Sequence, residues 1–387
     1  MNFTQEQITE ILQDIANKKD GFNEIMKMSL DVLMLSERKI HQNETGAYAN
    51  GYRPRIVKGL GKEIALSVPR TRNGEFYPVL LSILRDEDSE RNKLISSLYK
   101  KGLTTDQIGK VYEEVYGKHY SKSQVSFLMK DSREEISIWL ERTLDSHYLV
   151  IYIDATFVST RRDKSVTKEA YYSILGIKED GTREVLSVVN HPTEGSTLWQ
   201  LEFQELKKRG VKSVGLTVSD GLASIENALA KVFPGTPHQL CVVHFKRNIT
   251  SIFPYKLRSQ INDELKEVFK LETSTDTPLE GFNRLQIFVN NWISKYPSLK
   301  SYRNERNTYY FTYTKFPASI QRMIYSTNWI ERLNRDYKRT LKMRGALPSA
   351  EAVLFLIGSV AMEKTYGCYN YKIPIFCAIE ILKQKKN

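Results

Sequence analysis

The feature that most constrains this 387-residue chain begins at Tyr148. There the run YLVIYID, Tyr148 to Asp154, is apolar and β-branched until it closes on a carboxylate. Such a run predicts a buried strand. Ala170–Ile177 (AYYSILGI) and Arg183–Val189 (REVLSVV) are two more, joined across Glu179-Asp180-Gly181, a hairpin turn signal. Ser196 is placed to cap a helix reaching Arg209 and closed by Gly210. Ser213–Ser219 (SVGLTVS) reads as a fourth strand, and Leu222–Phe233 as a helix stopped by Pro234-Gly235. Gln239–Val243 reads as a fifth strand, with helix from Phe245. The predicted order is β-β-β-α-β-α-β-α.

Three antiparallel strands followed by two crossover units predict an α/β core with a mixed five-stranded sheet, the layout of the ribonuclease-H-like fold. The fourth strand then inserts beside the first and parallel to it. Side chains at adjacent strand ends gather where α/β sheets bind ligands. Those ends hold Asp154 and Asp220. A carboxylate closing an apolar strand is costly unless it is paired, hydrogen-bonded or metal-bound. A local turn or cap bond is the alternative for each, most of all for Asp220 before Gly221. Taken together the two favour a divalent-metal site.

Outside this core the chain reads as mainly helical, with one small β module. Residues 3–41 show helical spacing (Ile8, Ile11, Leu12, Ile15, then Ile25, Met28, Val32, Leu35), divided at Gly21. Between Gly51 and Arg72, short extended runs carry Arg53, Arg55, Lys58, Lys62, Arg70 and Arg72 against a single Glu63. This reads as a phosphate-contacting hairpin, with Asn73-Gly74 as a turn signal. Ser89–Lys101, Thr104–Tyr116 and a helix from Ser121 towards Arg142 have the cadence of a helix-turn-helix unit. Lys122, Ser123 and Gln124 then fall at the start of the recognition helix. Tyr255–Leu271, Leu279–Lys295 and Leu299–Tyr313 are expected as helices inserted into the α/β domain, and Ser349–Thr365 as a final apolar helix. The expected organisation is an N-terminal helical region (1–45), a basic β-rich module (46–88) and a helix-turn-helix-like domain (89–145). The core (146–250), a helical insertion (251–325) and C-terminal helices (326–387) follow.

Charge identifies the class of partner. Lys and Arg number 57 against 45 Asp and Glu, a net +12, which suits a polyanion. With 22 Tyr, 16 Phe and 4 Trp there are also many rings able to stack on bases. A membrane is a poor alternative, because the most apolar stretch, Val353–Met362, is half the ~20 residues a span needs. The polar N-terminus has no signal-peptide pattern, and the three cysteines (Cys241, Cys368, Cys377) suit a reducing cytoplasm. Nucleic acid is the expected partner, and a reducing cytoplasm the expected location.

A third acid stands at Glu331. Asn328-x-x-Glu331 has capping-box spacing, which supplies a purely structural reading. However, Arg332, Arg335, Lys338, Arg339, Lys342 and Arg344 follow, opposed only by Asp336. Arg335 and Lys338 share the helix face of Glu331, while Ile330, Leu333, Tyr337 and Leu341 form the opposite stripe. A metal ligand at the head of a basic helical face suits a bound phosphate backbone. Three carboxylates could hold two Mg²⁺ ions, which clamp the attacking and leaving oxygens of a phosphoryl displacement. No G-x-x-x-x-G-K-[ST] is present, so nucleoside-triphosphate chemistry is not indicated. Cys241-Val-Val-His244 lacks a second ligand pair for structural zinc. His244 is expected as a phosphate contact, a donor to a carboxylate or a satisfied core histidine, and Trp329 as a base-stacking or core ring.

Asp154-Ala155-Thr156, Ser219-Asp220-Gly221, Cys241-Val-Val-His244-Phe-Lys246-Arg247-Asn248 and Thr327-Asn328-Trp-Ile-Glu331-Arg332-Leu-Asn334 together resemble the bacterial IS256 family of transposases, related to the eukaryotic Mutator group. Gly51-Tyr52-Arg53 and Val68-Pro69-Arg70 also look like that family's N-terminal region, so the resemblance spans nearly the whole chain. It implies a DDE triad of Asp154, Asp220 and Glu331 served by Mg²⁺ or Mn²⁺, and a C/D-x-x-H motif at Cys241 and His244. It also implies binding of double-stranded DNA at terminal inverted repeats and at a target, copy-out of a circular intermediate, and at least a dimer. The rival readings are a related nuclease or resolvase that cleaves without joining, and a DNA-binding regulator whose acids are structural.

Overall fold

The computed structural model describes residues 9, 13 and 21–377, apart from 59–62, 117–119, 163–164, 192–194, 273–274 and 343. The expected helix through Ile8 and Ile15 lies outside the described residues. The chain divides into two compact units, Met1–Ser132 and Arg133–Asn387.

In the first unit, α1 (Gly21–Thr45) packs on an antiparallel pair, β1 (Ala49–Lys58) and β2 (Glu63–Thr71). Alternate β2 residues Ile64, Leu66 and Val68 bury against Leu30 and Met34 of α1, the period-two pattern of a half-covered strand. Asn73-Gly74 is not the hairpin connection. It follows β2, where Gly74 at φ +74 turns the chain towards α2 (Val79–Lys100). That helix starts ten residues before the expected Ser89, directly after Pro78, and the Glu37 carboxylate accepts the Val79 and Leu80 amides at 2.7 and 3.3 Å. The polar run RDEDSER inside it hides the start from any apolar periodicity.

Two short helices follow, α3 (Thr105–Tyr116) and α4 (Lys122–Leu128). Each begins with reciprocal capping. Thr104 and Gln107 exchange bonds at 2.9 and 3.2 Å, and Ser121 and Gln124 do the same at 2.9 and 3.2 Å. Instead of one helix continuing to Arg142, the chain breaks at Met129 and resumes as α5 (Lys130–Glu141).

The second unit is built on a five-stranded mixed sheet. Its strands are β3 (His147–Arg162), β4 (Ser165–Ile177), β5 (Arg183–Asn190), β6 (Ser213–Ser219) and β7 (His238–Leu240), in the order β5-β4-β3-β6-β7. β4 pairs antiparallel with β3 and β5, whereas β6 is parallel to β3 and β7 to β6. The fourth strand therefore inserts beside the first, as expected. Helices α6 (Ser196–Lys208) and α7 (Ala223–Val232) cover one face, where Trp199, Phe203, Ile225 and Leu229 pack on Ile151, Ile153 and Tyr172. α8 (Val242–Ser251) follows β7 directly, because Cys241 already stands at its N-cap.

The stretch after α8 is only partly α-helical. A 3₁₀ turn at Tyr255–Leu257 leads into α9 (Arg258–Val268), and Thr277 caps α10 (Pro278–Trp292). In place of a helix over Leu299–Tyr313 there are two 3₁₀ stretches, Pro297–Arg303 and Glu305–Lys315, parted by extended Asn304. The run TYYFTYT has no helical stripe, and Phe311 and Tyr313 are both fully buried. After α11 (Ala318–Ile324), the apolar stripe of α12 (Asn328–Leu341) lies over β3 and β4, and α13 (Ala350–Tyr366) lies over β5. A last turn, α14 (Pro374–Cys377), ends the described chain. Among the described residues, no helix is long and apolar enough to cross a membrane.

In the first unit, a Cβ added at Gly109 of α3 would collide with the Tyr120 carbonyl oxygen just before α4. Gly109→Ala is expected to destabilise this unit by about 1–3 kcal/mol, the scale of overpacking a close backbone approach. A thermal melt that matches the unsubstituted chain would contradict that packing.

Candidate active site

Parallel pairing sets Ile153 opposite Ser219, so Asp154 and Asp220 are the next residues on neighbouring strands. β6 stops there, but β3 does not: the expectation of Asp154 at a strand end is corrected by a strand that continues to Arg162. Beyond Asp154 the residues alternate, with Thr156, Val158 and Thr160 buried and Phe157 and Arg161 exposed. This part pairs with β4 and, at Thr160, bridges to Leu347. Half-buried alternation replaces the unbroken apolar run, which is why the run alone ended too soon. Asp154 thus sits where β3 loses its parallel partner.

The Asp154 carboxylate is buried, and its Oδ2 accepts the Asn334 amide at 2.9 Å. Burial raises it to about 6, the charge of Asp220 pushes the same way, and His244 opposes them. Glu331 lies in the first turn of α12, but the capping box with Asn328 does not form. The residue before the helix is Thr327, and its hydroxyl lies 3.2 Å from Glu331 Oε1. The Glu331 carboxylate also lies 3.8 Å from His244 Nε2.

One cavity of about 550 Å³ takes in Asp154, Asp220, Glu331, His244, Asn328 and Asn334, with Arg247, Arg332, Arg335 and Lys338 as its basic lining. The helical period explains the company: residues 331, 335 and 338 share one face of α12, while Ile330, Leu333, Tyr337 and Leu341 are buried on the other. Lys246, next to Arg247, goes elsewhere, with its ammonium 5.4 Å from the Phe269 ring. Arg339 is exposed and pairs with Asp336 at 3.4 Å, Lys342 is exposed and Arg344 half-buried, and none of the three lines the cavity.

Cys241 is buried, its sulfur accepting the Thr327 amide and hydroxyl at 3.4 and 3.3 Å. The single Thr327 hydroxyl proton serves either this sulfur or Glu331. Burial pushes the Cys241 thiol up, but nearby His244 and the Thr327 bonds outweigh it and leave it lowered. The same sulfur, against the cost of burial and with help from Asp154 and Glu331, raises His244 to about 9. Donor atoms of Cys241, His244 and Glu331 lie within 4.8 Å of one another. The carboxylate oxygens of Asp154, Asp220 and Glu331 are the hard donors that Mg²⁺ and Mn²⁺ prefer. The upward shift of Asp154 comes first from burial and then from the charge of Asp220, and a cation at the carboxylates would offset both.

In the first unit, Arg53, Arg70 and Arg72 are exposed on the hairpin, whereas Arg55 is half-buried and donates to the Tyr77 hydroxyl at 3.0 Å. Lys58 is the last residue of β1. On α4, Ser123 is exposed, Lys122 pairs with Asp106 at 3.4 Å, and the Gln124 carbonyl is committed to the cap. Sequence reasoning assigned no role to Asn334 or Thr327, although both stand in the quoted motif, and it missed Arg183 altogether. The Arg183 and Arg332 guanidiniums lie 5.0 and 5.1 Å from the Trp329 ring, so that ring already carries two cations.

Residues 3–370 match the family described as "Transposase, Mutator family". Over 364 residues the chain is 31% identical to the transposase for insertion sequence element IS905 of Lactococcus lactis subsp. lactis (strain IL1403), covering 89% of this chain and 90% of that protein. It is 30% identical to the transposase for IS1201 of Lactobacillus helveticus, covering 93% and 96%. To the transposase for IS256 in transposon Tn4001 of Staphylococcus aureus it is 28% identical, covering 88% and 87%.

The elevated Asp154 has a consequence for stability. An acid whose folded value (about 6) exceeds its ordinary 3.8 holds its proton more tightly when folded, so stability falls as pH rises from about 4 to 6. Without metal, Asp154→Asn is expected to be more stable than the parent at neutral pH by about 3 kcal/mol, with the difference closing near pH 4. Urea unfolding across this range checks it, and a variant no more stable at neutral pH contradicts it.

Proposed function

Because the chain belongs to the Mutator family of transposases, we propose that it is an insertion-sequence transposase of the DDE class with a ribonuclease-H-like core. It binds the terminal inverted repeats of its element, cuts a DNA strand and joins the freed 3′-hydroxyl to target DNA. The observation that carries this reading is the single cavity in which three carboxylates meet four basic side chains. The order of the mixed sheet, with β6 parallel to β3, supports the same fold reading.

Asp154, Asp220 and Glu331 would hold Mg²⁺ or Mn²⁺, two ions per site, which supply activation of a water or 3′-hydroxyl and neutralisation of phosphate charge. The protein's own residues do the rest. The Asn334 amide fixes one oxygen of Asp154. Protonated His244 offsets the charge of Asp154 and Glu331 and has a donor to offer a phosphate oxygen. Arg335 and Lys338 continue the face of Glu331 and would lay the DNA backbone along α12. Arg332, stacked on Trp329, is held at the same cavity. The exposed arginines of the hairpin and the start of α4 would bind the element's ends. Two ends need two active sites, so the DNA-bound state is a dimer or larger.

On a DNA fragment carrying the element's end, Asp154→Asn or Glu331→Gln is expected to lower cleavage by about 10³-fold or more, as when one member of a cooperating set is lost. End binding should persist. Unchanged cleavage would instead favour a DNA-binding regulator, and cleavage without joining of a pre-cut end would favour a nuclease. Replacing Arg335 and Lys338 together by glutamine is expected to flatten the log–log salt dependence of DNA affinity by about two units. An unaltered slope would remove α12 from the DNA path.

A further inference from the structure

The turn that carries Asp220 is gripped from outside the sheet. After β6 the chain passes through Asp220 and Gly221, the latter at φ +99, before α7 begins at Ala223. Arg306, from the 3₁₀ stretch Glu305–Lys315, reaches this turn. Its Nη2 donates to the Gly221 carbonyl, and its Nε lies 3.1 and 3.0 Å from the two carboxylate oxygens of Glu226 in the first turn of α7. The stretch is itself tied to β7, since Gln239 Oε1 accepts the Tyr313 amide at 2.6 Å and Gln239 Nε2 donates to the Tyr310 carbonyl at 3.0 Å. From the sheet side, Ser219 Oγ meets His238 Nε2 at 2.8 Å and accepts the Gly221 amide at 3.4 Å.

A glycine at positive φ lets the chain leave β6 sharply, but it leaves the direction of that exit loosely determined. The planar guanidinium fork removes this freedom by joining the carbonyl one residue past Asp220 to a carboxylate on the following helix. Arg306 does not line the cavity, so its influence on chemistry is indirect.

We propose that Arg306 is a positioning residue: by tying Gly221 to Glu226 it aims Asp220 into the cavity, so that the inserted 3₁₀ stretch sets how tightly the site holds its divalent ion. This rests on the reading of Asp220 as a metal ligand. Without Arg306 the Gly221 carbonyl and the Glu226 carboxylate lose their common partner, and the turn can relax. Glu226 is only 15% exposed at its side chain, so its charge is poorly served by water once the guanidinium is gone.

The test uses the full chain, with Mn²⁺ binding measured by calorimetry and cleavage of an element end measured against Mg²⁺ concentration. Arg306→Gln is expected to weaken Mn²⁺ binding and raise the Mg²⁺ half-saturation by about 10-fold, the lower end of the range for residues that orient metal ligands. The maximal rate at saturating Mg²⁺ and the affinity for DNA ends should be kept. Glu226→Gln should shift both metal readouts less, in the same direction, and it carries the test should Arg306→Gln fail to fold. Parental Mn²⁺ binding and Mg²⁺ half-saturation in the folded variants, or a lost maximal rate at unchanged metal dependence, overturns the proposal. Asp220→Asn separates the two claims. If it is inactive at every Mg²⁺ concentration while Arg306→Gln behaves as the parent, only the role of Arg306 falls. If Asp220→Asn still cleaves, the ligand reading falls and the proposal with it.

Discussion

The parallel pairing of β3 with β6 brings Asp154 and Asp220 to one cavity, and the site's electrostatics follow from it. The pairing is held by packing far from any charge. Ile151 and Ile153 lie beneath α6 and α7, and a slip of one residue would turn every side chain of β3 to the wrong face. Apolar burial therefore supports an arrangement of like charges that would otherwise separate. Asp154 carries the cost, raised to about 6 by burial first and by Asp220 second, and its neighbours answer it: the amide of Asn334 and the imidazolium of His244.

α12 connects the sheet with the proposed DNA path. Its buried stripe lies on β3 and β4, where Ser173 Oγ donates to the Tyr337 hydroxyl at 3.3 Å. That anchoring fixes the rotation of the helix about its own axis. Glu331 is thereby brought to the cavity and Arg335 and Lys338 to its rim. Acid and base are thus placed by one packing decision, and a polyanion drawn to the rim arrives beside the carboxylates.

Much of this was legible in the sequence, because the strand before Asp154 is marked by an unbroken apolar run, the order of elements matches a ribonuclease-H-like layout, and α12 is marked by its period. The strand order, the two aspartates on adjacent strands and the shared face of Glu331, Arg335 and Lys338 could all be read that way. What escaped depends on distant partners. β3 extends past Asp154 because β4 pairs with it, a fact the alternating TFVSTRR does not announce. Residues 299–313 bury aromatic rings in 3₁₀ turns because β7 supplies Gln239 to bond them. Thr327, Asn334 and Arg183 look ordinary until Cys241, Asp154 and Trp329 are brought to them across the fold.

The central claim is that Asp154, Asp220 and Glu331 together form one site for divalent ions. Fe²⁺ in place of Mg²⁺, with ascorbate and peroxide, generates hydroxyl radicals that cut the polypeptide beside its binding site. The account predicts three groups of cuts, near residues 154, 220 and 331, all suppressed by excess Mg²⁺. Cuts confined elsewhere, or cuts near the two aspartates with none near Glu331, would contradict it.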